Sequence, residues 1–201
     1  MVPQIRMSTV TYPVLALGLA FALSGCISFG KDPPATLFTL NPASVAAPGT
    51  GATGTAAQAI SVLEPQAPAR LDVLRVPVQV DDASVAYLKD AQWVEKPARL
   101  FARLVEESIR AKGNRLIVDG SDAEYAAQTK LSGQLLDMGY DVRSGSVVVR
   151  YNAVLQTPDG QIRTRLFEST VPGIAATAGA VRPALNVAAN DIAGQVADWV
   201  G

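Results

Sequence analysis

YAAQTKLSGQLLDMGYDVRSGSVVVRYNAVLQTPDGQIRTRL, residues 125–166, decides the fold. Tyr125, Ala127, Thr129, Leu131, Gly133 and Leu135 fall on one side of an extended chain, with Gln128, Lys130, Ser132 and Gln134 on the other. Val147, Val149, Tyr151, Ala153 and Leu155 repeat the alternation. Thr157-Pro158-Asp159-Gly160 is a turn, after which Ile162, Thr164 and Leu166 continue the inner row, with Arg163 and Arg165 outward. Period-two patterning marks a half-buried strand. Three such strands in succession predict an antiparallel meander with one polar face left to water.

The other face needs a cover, and two segments can supply it. Over 97–112, Leu100, Phe101, Leu104, Val105, Ser108 and Ile109 recur at spacings of three to four, with Arg99, Arg103, Glu106, Glu107 and Arg110 opposite. Pro97 suits a first helical position and Gly113 a helix stop. Over 183–199, Leu185, Ala188, Ala189, Ile192, Val196 and Trp199 form a second stripe, with Pro183 able to open the helix. The expected fold is α+β: a two-layer sandwich whose mostly antiparallel sheet is covered on one face by these two helices.

Shorter elements fill the first half. Leu37-Phe38-Thr39-Leu40 has strand character and stops at Asn41-Pro42. Residues 43–58 are almost wholly Ala, Gly, Thr, Ser and Pro, the composition of a flexible loop that buries little. The run Gly49-Thr50-Gly51-Ala52-Thr53-Gly54 lacks the Gly-Lys-Ser/Thr of a phosphate loop. Residues 59–64, 73–80, 84–88, 92–94 and 115–118 read as strands, with Pro77 pointing to an edge strand or strand end.

The N-terminus has a different logic. Arg6 is the only charge in the first thirty residues, and an uncharged run over 14–23 ends in Leu23-Ser24-Gly25-Cys26. That is a secretory signal layout, and the run is shorter than the roughly 20 apolar residues a spanning helix needs. On its chemistry alone, the single Cys26 suits either a small buried apolar residue or an unpaired reactive thiol. The tetrapeptide resembles a bacterial lipobox, which implies cleavage before Cys26 and lipid on that cysteine. An aspartate after the cysteine favours the inner membrane in such lipoproteins. Ile27 stands there instead, implying the periplasmic face of the outer membrane. The expected organisation is a signal peptide over 1–25, an anchor and tether over 26–36, and one domain over 37–201. Extended, the nine residues after Cys26 span about 30 Å.

Composition narrows the function classes. The 201 residues carry 17 basic and 18 acidic side chains, no histidine and one cysteine. No basic tract offers a footprint for nucleic acid. With no histidine and no free cysteine beyond Cys26, neither the common zinc sites nor a Ser-His-Asp or Cys-His nucleophile can be built. Carboxylate pairs and a Ser-Lys dyad remain formally open, but Lys31, Lys89, Lys96, Lys112 and Lys130 sit in no nucleophile motif. The expectation is a non-enzyme with no cofactor, metal or catalytic residue.

Val85-Ala86-Tyr87-Leu88, followed by Ala91-Gln92-Trp93-Val94-Glu95-Lys96-Pro97-Ala98-Arg99-Leu100-Phe101, resembles the ABC-type transport auxiliary lipoprotein family, PqiC-like components of MCE-type intermembrane transport systems. The Leu-Ser-Gly-Cys anchor, Phe38-Thr39-Leu40 and the closing Ala197-Asp198-Trp199-Val200 agree with it in order. The resemblance implies a non-catalytic accessory held to the membrane by its N-terminal lipid. Its implied partners are an MCE-domain periplasmic protein and, through it, an inner-membrane permease and ATPase, with a homo-oligomeric ring of its own copies. A scaffold for another outer-membrane complex is the competing class, and a carboxylate or Ser-Lys hydrolase a third. Four residues are candidate interface positions. Tyr87 and Trp93 either anchor a partner or plug the junction between sheet and helix. Arg163 and Arg165 either meet a partner or phospholipid headgroups, or form a solvated face.

Overall fold

The computed structural model describes residues 36–113, 115–118 and 127–201. Cys26, the tether before residue 36, the Asp119-Gly120 turn and Tyr125 lie outside them.

The meander forms as the alternation dictates. Strands β5 (Thr129–Asp141), β6 (Ser146–Gln156) and β7 (Ile162–Val171) pair antiparallel, with Leu131 opposite Leu155 and Tyr151 opposite Phe167. Earlier in the chain come β1 (Ala59–Val62), β2 (Arg75–Gln79), β3 (Val85–Gln92) and the two-residue β4 (Leu116–Ile117). These complete a seven-stranded sheet among the described residues.

The sheet is mostly antiparallel, as expected, and partly parallel around β1 and β5. Both β1 and β2 run parallel to β5, side by side with its two ends, and β4 runs parallel to β1. The 13-residue length of β5 makes this possible. Its first residues pair with β1, its last two with Val78 and Gln79, and Gln66 bridges the middle by accepting from the Leu135 N–H at 2.8 Å. Between these contacts residues 67–74 loop out. Arg70 reaches back into the register shift between Leu135 and Asp137, donating to Leu136 O at 2.7 Å and to the Asp137 carboxylate at 3.4 Å.

Other differences are local. The short strand expected over 84–88 runs on to Gln92 as β3, bent at Asp90, whose φ is +54°, and of the strand expected over 92–94 only an isolated bridge at Trp93 remains beyond it. β2 lies between β3 and β5 rather than at an edge. Pro77 is tolerated because β2 touches β5 only through Val78 and Gln79.

Helix α1 (Pro97–Lys112) has the expected bounds, Pro97 at its start and Gly113 closing it at φ +70°. Helix α2 (Ala178–Val200) begins five residues before Pro183, because the Thr177 side chain caps it by accepting the Ala180 N–H. Pro183 then sits in the second turn, where the carbonyl it would crowd, that of Gly179, lies at the exposed end. Ala184, Ala188, Ala189, Ala193 and Ala197 are all buried. These small residues let α2 lie close to the sheet and to α1. Arg115 donates to Val200 O at 2.9 and 3.2 Å, bringing a cation to the negative end of α2. Phe101, edge-on to Tyr151 at 5.1 Å, ties α1 to β6 through the centre of the core.

Candidate functional site

The chain enters the fold at Phe38, which takes a short parallel bridge with Trp93 instead of the longer strand expected. Asparagine side chains on α2 then take over the role of a neighbouring strand. Asn186 accepts from the Asn41 N–H at 2.8 Å and donates to Thr39 O at 2.9 Å. Asn190, one turn on, accepts from the Ala43 N–H at 2.7 Å and donates to Asn41 O at 2.9 Å. Glu107 of α1 continues the line by accepting the Ala46 N–H at 3.0 Å. At about 0.5–1.5 kcal/mol for each net hydrogen bond, these contacts pin residues 39–46 as a strap across both helices. Sequence reading missed the strap. Its signal was there: two asparagines four apart in an alanine-rich helix, where their propensity is poor.

The Glu107 carboxyl is held below its usual range, first by the Ala46 N–H and then by Arg110, with burial opposing. A carboxyl whose folded pKa is depressed lends stability above its unfolded pKa and loses it as pH falls through the folded one. The Ala46 amide shift followed by NMR should therefore titrate with a midpoint below 4.5. A midpoint at or above 4.5 would show that Glu107 does not hold the strap.

Between the strap and α1 runs an open cleft of about 1240 Å³. Leu40, Pro42, Val45, Val62, Leu100 and Leu104 line it. Its charged rim is internally matched: Arg99 with Glu64 at 3.3 Å, Arg103 with Glu95 at 2.5 Å, and Arg110 with Glu107 at 2.6 Å. Each of these carboxylates is engaged by an arginine across or along the cleft. Among the described residues, no group of three His, Cys, Asp or Glu is placed to hold a metal.

The four candidate interface residues do not converge. Trp93 is 1 % exposed, edge-on to Phe38 at 5.5 Å, so it plugs the junction. Tyr87 is half-buried under the Arg75 guanidinium, 3.7 Å from its ring centroid. Arg163 and Arg165 are brought together at the outer end of β7, but on the face opposite to the one expected. They share the helix side with Phe167 and Ser169, while Ile162, Thr164 and Leu166 lie on the open face. Arg163 stacks over Trp199 at 5.2 Å and Arg165 over Phe167 at 4.9 Å, and both remain exposed. The reason is register. Cross-strand partners share a face, and Gln156 opposite Ile162 sends Ile162 outward and sets Arg163 beside Leu155.

A family model described as the ABC-type transport auxiliary lipoprotein component matches residues 38–197. The chain belongs to that family. The match starts at the bridge residue Phe38 and ends three residues before the C-terminus of α2, so it takes in the strap, the cleft and β7. In this auxiliary-lipoprotein fold Trp199, the platform for Arg163, falls just beyond the matched stretch. Two solved structures share the architecture. One is a DUF330-family protein from Xanthomonas campestris, 17 % identical, with a TM-score of 0.68 over 83 % of this chain and 94 % of that one. The other, described only as an uncharacterized protein, is 12 % identical, with a TM-score of 0.62 over 83 % of this chain and 100 % of that one. At such identities the likeness is one of fold. No curated protein matches the sequence. As an auxiliary component, the protein is associated with an ABC-type transport system, and no described helix is long and apolar enough to cross a membrane.

Proposed function

We propose that the protein is a lipid-anchored, non-catalytic accessory of an MCE-type transport system that moves lipids or other hydrophobic molecules across the envelope. It sits on the periplasmic face of the outer membrane and docks the periplasmic MCE component there, and through it the inner-membrane permease and ATPase. The observation that carries this reading is the family match over 38–197, joined to a Leu-Ser-Gly-Cys signal whose Cys26 lies twelve residues before Phe38. Several acyl chains on Cys26 moor the domain. One chain alone binds only reversibly, at about 0.8 kcal/mol for each buried CH₂. The strap fits this arrangement, because a load on the tether meets Phe38 and the Asn186 and Asn190 clamps before it reaches the sheet. Assembly into a ring would set several anchors around one docking point, and their multivalency strengthens attachment without new contacts.

The test is a Cys26→Ala variant exported behind a non-lipoprotein signal. It should fractionate as soluble periplasmic protein with an unchanged circular dichroism spectrum, and transport should be impaired. Normal transport by the fully soluble domain would contradict docking at the membrane.

A further inference from the structure

The sheet has three edges among the described residues, and two of them are blunted. β4 is two residues long, and β3 is broken by the Asp90 bend and by an irregular register against β2. The third, β7, is continuous over ten residues, pairs without a bulge along β6, and contains neither proline nor glycine. Its outer side has no strand partner among the described residues. The Thr157 N–H donates to Gln161 O, so bonded pairs fall on the odd-numbered residues of β7. The N–H and C=O groups of Ile162, Thr164, Leu166 and Glu168 therefore point away from the sheet. A free edge of this kind is a template for another strand.

Side chains beside the edge are sorted by face. On the helix side stand Arg163 and Arg165, exposed and held over Trp199 and Phe167, with no carboxylate partner among the described residues. On the open side Ile162 is 68 % exposed and Leu166 57 % exposed. Glu168, the one acid on β7, is engaged by Arg150 at 2.7 Å and leaves the arginines uncompensated.

We propose that β7 is a strand-addition site for an extended segment of another protein in which acidic and apolar residues alternate. Added to the free edge, that segment sets its acids beside Arg163 and Arg165 and its apolar side chains beside Ile162 and Leu166, since neighbours across a strand pair share a face. A second copy of this chain is a poor occupant. β3 offers Lys89 next to Asp90 rather than an acidic row, and a second β7 brings its own arginines. The site is independent of the transport reading, because it rests on the edge and its charges alone.

The probe is a dye-labelled nine-residue peptide alternating valine and glutamate, added to the full chain purified in detergent. Anisotropy gives affinity and hydrogen–deuterium exchange gives location. Binding should slow exchange over residues 162–170, and a valine–lysine peptide should bind roughly tenfold more weakly. Arg163→Glu with Arg165→Glu should reverse that preference. Thr164→Pro, which removes an outward N–H, should abolish binding with an unchanged circular dichroism spectrum. Equal binding of both peptides, protection outside β7, peptide-independent self-association through β7, or no binding would each overturn the proposal. Should Thr164→Pro misfold, the charge-reversed variant still decides the matter.

Discussion

Gly133→Ala is expected to destabilise the protein by about 4 kcal/mol, near the upper limit for a single substitution. Gly133 lies in β5 at φ +150°, a conformation that side chains disfavour. A Cβ there would stand 2.1 Å from Asn152 O and 3.0 Å from the Tyr151 ring. Neither neighbour can yield cheaply. Asn152 belongs to the longest strand pairing in the sheet, and Tyr151 is buried, its hydroxyl donating to Ser132 O at 2.8 Å. Gly133 O also accepts the Gln66 N–H at 2.9 Å, so a shift would loosen the parallel segment on the other side of β5. Urea unfolding should show the full loss. Gly160→Ala is the control: φ there is +82° but nothing lies within 4 Å, so only the conformational cost of about 1 kcal/mol remains. Similar losses for the two variants would show that the close approach of β5 and β6 at Gly133 is unimportant.

Trp93→Ala should cost about 3–5 kcal/mol, the range for truncating a large buried aromatic. Trp93 joins three parts of the structure. Its backbone N–H donates to Leu74 O at 2.7 Å, its ring meets Phe38 edge-on, and it lies between β3 and α1. Removing it frees the bridge to Phe38 as well as opening a cavity. Trp93→Phe separates the two contributions. Among the described residues the indole N–H is buried with no hydrogen-bond partner, and an unmet buried donor is itself costly. Phenylalanine removes that penalty while keeping most of the packing, so its loss should be less than half that of alanine. An equal loss for both would mean that the indole N–H has a partner after all.

The parts of the fold that were legible in the sequence share one physical feature: a single face is buried. β6, and β5 as far as the register shift after Leu135, alternate because α1 and α2 cover one side only, and Leu131, Leu135, Val149 and Leu155 are accordingly buried. α1 was legible end to end because its stripe, its proline start and its glycine stop agree. β7 was read with its faces exchanged because both faces carry apolar residues, Ile162 and Leu166 on one and Phe167 on the other. Turn register decides such a case, since Gln156 pairs with Ile162 across the loop. Strand direction in β1 and β2 was invisible because alternation has no polarity, and nothing local announces that two strands share the edge of a third.

Of the candidate sites, Trp93 resolves into core, whereas Arg163 and Arg165 stand exposed on the face opposite to the one expected. The Asn186 and Asn190 clamp was missed because it joins residues 145 to 149 apart in the chain, beyond the reach of any local pattern. The pairing needs a polar side chain that both donates and accepts, which asparagine provides and the surrounding alanines do not.

Membership of the transport-auxiliary family is shown, and the partner that the domain docks is the central claim to be measured. Affinity purification of the full chain from detergent-solubilised envelopes, with bound proteins identified by mass spectrometry, measures it directly. An MCE-domain protein should co-elute with the native protein and be strongly reduced with the soluble Cys26→Ala variant. Recovery of a different outer-membrane machine, with no MCE-domain protein in the eluate, would contradict the docking role.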